Sequence, residues 1–181
     1  MNVNPAASAP QQKMQASAAA AATNNASADT QGGAKPFKVS PAYGGDGGAE
    51  FDHMNHRLVQ EIFVYSDRHV IHGIKVVYNA QTKLAGKEEG GATHFVLTAG
   101  EYIVGAKIRA GKYVQALSFS TNKGNTLGPV GGKGWLIGGK DKQGQDFEST
   151  APPGGYQLCG IKGKASDTAI DSIMFRWGPV N

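Results

Sequence analysis

Asp167-Thr168-Ala169-Ile170-Asp171-Ser172-Ile173-Met174-Phe175 has two counterparts earlier in the chain: Arg68-His69-Val70-Ile71-His72-Gly73-Ile74-Lys75-Val76 and Gly111-Lys112-Tyr113-Val114-Gln115-Ala116-Leu117-Ser118-Phe119. Each begins as a short polar turn, passes through a β-branched residue and one polar position, and continues as a strand that alternates apolar and polar residues. A unit repeated in this way is one supersecondary element that buries its apolar face only against its neighbours. Three units therefore predict three similar sheets around a pseudo-threefold axis.

Working outward from the repeats, the rest of the chain after Pro36 has the same texture. Short β-type runs (Leu58–Tyr65, Val70–Tyr78, His94–Leu97, Tyr102–Ile108, Val114–Ser120, Tyr156–Ile161 and Ile170–Trp177) are separated by Gly or Asn, and no stretch has helical periodicity with caps. The 26 glycines, in a chain that is not low-complexity throughout, favour a fold with many tight turns. Residues 1–36 differ: from Ala6 to Ala34 they are Ala, Ser, Asn and Gln with few large apolar side chains, a composition that predicts a disordered tail. Met1-Asn2-Val3-Asn4-Pro5 supplies neither the basic start nor the apolar stretch of a classical signal peptide, so the expectation is a cytoplasmic or non-classically secreted protein. No run is long and apolar enough for a membrane span.

The formal charge of +4 is spread along the chain without a block of like charges or a basic stripe interleaved with aromatics, which argues against nucleic acid as a partner. The single cysteine, Cys159, rules out an intrachain disulfide and sits in an apolar run, as a small buried hydrophobe would. His53, His56, His69 and His72 form two i, i+3 pairs, a spacing that does not bring imidazoles together on strands, so neither a metal nor another cofactor is expected.

Four segments, in order, carry a family resemblance. Tyr43-Gly44-Gly45-Asp46-Gly47-Gly48-Ala49-Glu50-Phe51-Asp52 resembles the opening glycine loop of jacalin-related lectins, and Ala99-Gly100-Glu101-Tyr102-Ile103 a segment that follows in them. Leu117-Ser118-Phe119-Ser120-Thr121-Asn122-Lys123-Gly124 with Gly128-Pro129, and Leu158–Gly163 through Ile170–Ile173, are similar to the remaining two. The resemblance runs from about residue 37 to 178 and implies an all-β fold, a β-prism of three Greek-key sheets with pseudo-threefold symmetry, occupying residues 37–181 behind the tail.

The resemblance also implies a site at one end of the prism, between the glycine loop and Asp167-Thr168-Ala169-Ile170-Asp171. Asp171 would accept from two sugar hydroxyls, the backbone N–H groups of Thr168 and Ala169 would donate to sugar oxygens, and Gly48 N–H to a neighbouring hydroxyl. This chemistry is sound in itself, because hydroxyls that both donate and accept are matched by an acceptor-only carboxylate beside fixed N–H donors. Asp167 stands where the family has a glycine, in a segment one residue longer, and either repels a ligand or adds a contact to it. The threefold repeat puts His72 and Gln115 at the position of Asp171, so one carbohydrate site per chain is expected, with Gly111–Gln115 a weaker second candidate. Tyr113 and Trp135 are placed either to stack on a sugar or to pack, and Trp177 is read as core or interface.

The expected function is binding of mannose- or glucose-type glycans rather than galactose, since galactose preference in the family goes with a chain cut at the glycine loop. An enzyme is not expected: glycoside hydrolysis wants two carboxylates across the scissile bond, and Asp167 and Asp171 share one loop. The alternative is a prism retained as an interaction or scaffold module without sugar binding. A single weak site implies a homo-oligomer if binding is to be strong.

Overall fold

The computed structural model describes residues 35–54, 58–79, 81–132 and 144–180. Most of the tail, His56 and Trp135 lie outside these residues. All regular elements among the described residues are strands.

The first complete sheet shows the plan. β4 (Val59–Ser66) and β5 (Ile71–Tyr78) form a hairpin, β6 (Gln81–Gly86) pairs with β5, and β7 (Gly91–Val96) returns to pair with β4. The spatial order β6-β5-β4-β7, all antiparallel, is a Greek key. β8 (Ile103–Ala110), β9 (Val114–Thr121), β10 (Thr126–Gly131) and β11 (Gln145–Thr150) repeat it as β10-β9-β8-β11. The third sheet is built from both ends of the chain. β12 (Tyr156–Ala165) and β13 (Ile170–Pro179) are its hairpin, β1 (Lys38–Val39) and β2 (Tyr43–Gly44) pair with β13, and β3 (Ala49–Met54) pairs with β12. The three similar sheets expected from the repeat are thus present, the third closed by the N-terminal strands.

Alternation along the repeats explains the core. Ile173 and Phe175 of β13, Ile74 and Val76 of β5, and Leu117 and Phe119 of β9 hold equivalent positions and are all buried in one cluster. Phe175 meets Phe119 edge-on at 6.4 Å and lies 6.1 Å from Trp177, whose indole Nε1 donates to Ser149 Oγ at 3.2 Å. Trp177 is therefore core. Cys159 is also buried as read, its thiol donating to Arg176 O at 3.3 Å and pushed up to about 11 by burial.

Candidate functional site

The repeat recurs in the backbone at one end of the prism. The carbonyl of Asp171 accepts from Gly45 N at 2.9 Å, that of His72 from Lys87 N at 3.0 Å, and that of Gln115 from Gly132 N at 2.8 Å. Each donor follows a glycine at positive φ: Gly44 at 127°, Gly86 at 70° and Gly131 at 100°. The reason is close approach, since a Cβ on any of the three would overlap the carbonyl oxygen beneath it. The equivalence of Asp171, His72 and Gln115 read from sequence holds in three dimensions.

Ahead of these positions, the loops of the first and third units are closed alike but capped differently. Asp67 N donates to Val70 O at 3.2 Å, and Ser166 N to Ala169 O at 3.0 Å. In the first unit, Asp67 Oδ1 accepts from His69 N at 2.6 Å and Val70 N at 2.9 Å, so a carboxylate occupies both loop donors. In the third unit the corresponding N–H groups, of Thr168 and Ala169, reach only Ser166 Oγ, each at 3.4 Å. A hydroxyl at that distance leaves both donors largely unused. The second unit's loop closes differently, with Gly111 N donating to Tyr113 O at 3.0 Å, and Tyr113 is half-buried with the Lys112 ammonium 5.1 Å from its ring.

Beside the third loop lies Asp171, 3% exposed, its Oδ2 without a hydrogen-bond partner among the described residues. A buried acceptor left unsatisfied is costly and marks a place where a ligand group or water belongs. Gly47 covers Oδ1: a Cβ there would come within 2.5 Å of it, so only glycine lets the loop lie so near. Gly48, at φ 78°, packs on the Ala165 carbonyl and Ser166 N. Lys164 Nζ donates to Asp46 O at 3.2 Å and ties the glycine loop to the end of β12. The structure therefore brings together Gly48, Thr168, Ala169 and Asp171, and adds Gly47 as the glycine nearest the carboxylate.

Asp167 is turned away. Its side chain is 99% exposed and pairs with Lys87 Nζ at 3.3 Å. It is not at positive φ, for among the described non-glycine residues only Asn79 is, so replacing the family's glycine here costs no backbone strain. Beneath the loop, His72 Nδ1 lies 2.6 Å from Thr168 O and its Nε2 3.3 Å from Asp67 Oδ2. Burial works against the Asp67 carboxylate, but the Val70 and His69 N–H groups and His72 outweigh it and hold its pKa below the ordinary value. The other described histidines lie elsewhere: His69 Nε2 accepts from Arg68 Nε at 3.1 Å, His94 Nε2 lies 2.7 Å from Glu61 Oε2, and His53 lies 5.3 Å from the Phe51 ring. Sequence reasoning missed Ser166, His72 and Gly47 as parts of this site. Aligning Ser166 with Asp67 through the repeat was the one available signal.

The family model for the jacalin-like lectin domain matches residues 40–175. Zymogen granule membrane protein 16 of Rattus norvegicus is 30% identical over 142 residues, which are 76% of this chain and 78% of that protein. Among solved structures, wild-type Malaysian banana lectin superposes with a TM-score of 0.65 at 23% identity, over 82% of this chain and 100% of that one. A mannose-binding jacalin-related lectin from Ananas comosus superposes with a TM-score of 0.61 at 21% identity, over 80% of this chain and 99% of that one.

Proposed function

Because the chain belongs to the family of jacalin-like lectin domains, we propose that it binds mannose- or glucose-type glycans through one shallow site per chain, formed by Gly48, Thr168, Ala169 and Asp171. The observation that carries this reading is the contrast between two loops. In the first unit the Asp67 carboxylate already fills the loop donors; in the third, two N–H groups stand beside an unsatisfied carboxylate. Donors and acceptor in that combination suit vicinal hydroxyls, each of which gives one hydrogen and accepts another. The mannose-binding lectin of Ananas comosus shares the fold, which supports the choice of sugar. Asp167, turned outward to Lys87, is an outer polar contact at the rim.

The site is a binding site and not a catalytic one. Hydrolysis of a glycoside needs two carboxylates facing a common bond, whereas Asp171 is covered by Gly47 and Asp167 points into solvent. A single site of this kind holds a monosaccharide with a Kd on the order of 1 mM, about −4 kcal/mol, so firm attachment to a glycan surface comes from several chains acting together. A homo-oligomer serves that end.

One observation favours a second reading, in which the prism is an interaction module without sugar binding: Asp171 is only 3% exposed. Calorimetric titration of the full chain with methyl α-mannoside and methyl α-galactoside, beside Asp171→Ala, separates the two. Saturable mannoside binding that disappears in the variant is the expected result. A folded wild-type chain that takes neither sugar overturns the lectin reading and leaves the interaction module.

A further inference from the structure

We propose that His72 is the positioning residue of the third loop: its imidazolium links the Thr168 carbonyl to the Asp67 carboxylate and so aims the Thr168 and Ala169 N–H groups at the ligand. The inference rests on the reading of that loop as the sugar site.

Thr168 O, a carbonyl, only accepts, and so does an ionised carboxylate. His72 Nδ1 lies 2.6 Å from the first and Nε2 3.3 Å from the second. A neutral imidazole carries one N–H, so either tautomer turns a nitrogen lone pair against one of the two oxygens. The imidazolium offers an N–H to both. The ring's side chain is 11% exposed, so water does not readily replace a lost partner.

The chain of contacts crosses between units. Asp67 spends Oδ1 on its own loop, at His69 N and Val70 N, and turns Oδ2 to His72. His72 occupies in the first unit the place that Asp171 holds in the third. The first unit thus carries, in place of a sugar-binding carboxylate, the support for its neighbour's loop. The carbonyl it grips belongs to the peptide that also carries Ala169 N–H, so a rotation of that peptide moves a proposed donor directly.

The charged groups around His72 are few. On its own loop are Asp67, Arg68 and His69, the last two hydrogen-bonded to each other. After β6 comes Lys87, whose amide donates to the His72 carbonyl and whose ammonium pairs with Asp167 of the third loop. Asp171 lies on the third unit, covered by Gly47. Asp67 is thus the charge paired directly with the ring, and loss of the ring's proton breaks one of its two contacts.

The test uses the full chain as wild type, His72→Gln and His72→Ala, with two readouts from about pH 5 to about pH 8. The first is affinity for methyl α-mannoside; the second, without sugar, is the amide NMR shifts of Thr168 and Ala169. In the wild type both follow one titration, and affinity falls roughly three- to tenfold as pH rises, the difference between a charge-assisted bond and a neutral one. His72→Gln, which donates to the carbonyl and does not titrate, binds with a flat profile. His72→Ala binds more weakly than His72→Gln at every pH, and its two loop amides no longer follow pH. A profile that persists in His72→Gln, or loop amides indifferent to pH in the wild type, overturns the proposal. If the amides follow His72 while no chain binds sugar, the brace stands and the lectin reading falls. If mannoside binds without either dependence, the reverse holds.

Discussion

Ser166 and Asp67 hold the same place in two loops of one repeat, and the difference between a hydroxyl and a carboxylate decides what each loop can do. Asp67 accepts from its loop's N–H groups at 2.6 and 2.9 Å, while Ser166 accepts at 3.4 Å. An ionised acceptor at short range makes bonds worth about 1.5–3 kcal/mol, which a sugar hydroxyl does not displace. Ser166→Asp is therefore expected to fill the third loop as Asp67 fills the first, lowering mannoside affinity at least about tenfold while thermal unfolding stays that of a folded prism. Calorimetry on the variant checks it; undiminished binding would show that the Thr168 and Ala169 donors are not used. At the same scale, Asp167 stands in a glycine's place without backbone strain, its side chain turned outward to Lys87.

At the scale of elements, the strands divide by what they bury. The seven runs read from sequence correspond to the six central strands, β4, β5, β8, β9, β12 and β13, and to one edge strand, β7. Besides the two-residue β1 and β2, the strands β3, β6, β10 and β11 were not among them. All four are sheet edges with mostly exposed or half-buried residues, as in Gln81-Thr82-Lys83-Leu84, and a strand with little to bury shows little alternation. Their pairing is imposed by the hairpins beside them. The glycines that join elements fall into two kinds as well. Gly44 combines φ of 127° with contact against Asp171 O and Ser172, whereas Gly100, at φ 70°, has nothing within 4 Å of an added Cβ. Gly100→Ala is expected to cost about 1 kcal/mol, the left-handed penalty alone. Gly44→Ala is expected to cost more than about 2 kcal/mol, because a clash is added to the strain. Urea unfolding of the two variants measures the difference, and equal losses would remove close approach as the reason for Gly44.

In the whole molecule, the prism is closed by joining its two ends in one sheet and is tied at the pole far from the site by Glu101. That residue lies just before β8, roughly 25 Å along the strand from the Gly111–Tyr113 loop. Its carboxylate accepts from Thr121 Oγ1 at 2.8 Å, Asn125 Nδ2 at 2.7 Å, and Thr98 N and Oγ1 at 3.1 and 2.8 Å. The Asn125 side chain, then Thr98 and Thr121, hold its pKa at about 2, against 4.5 for an ordinary glutamate. A carboxylate whose folded pKa lies below its unfolded one contributes stability above the unfolded value and loses it as pH falls toward the folded one. The wild type is therefore expected to lose stability between about pH 4.5 and about pH 2. Glu101→Gln, less stable at neutral pH, should show a shallower fall when denaturation midpoints are compared across that window. Parallel curves would remove Glu101 as the cause. Two of the segments that carried the family resemblance meet here, for Asn122 Oδ1 accepts from Tyr102 N at 2.8 Å and Asn122 Nδ2 donates to Gly100 O at 3.0 Å. They are marks of the fold and not of the site. From the amino-acid sequence by itself came three similar sheets, because alternation and a threefold repeat are local patterns that state which faces must be buried and how often; that the sheets form a prism was implied by the family resemblance. The resemblance also pointed to Asp171, and the repeat added that only the third unit places a carboxylate at that position. Only the tertiary structure decided that Gly47 covers that carboxylate and that Ser166 holds two donors only weakly. Only it, too, brought His72 to Thr168 across 96 residues of chain. Those facts depend on how loops of different units meet, and a contact between distant loops leaves no period in the sequence of either.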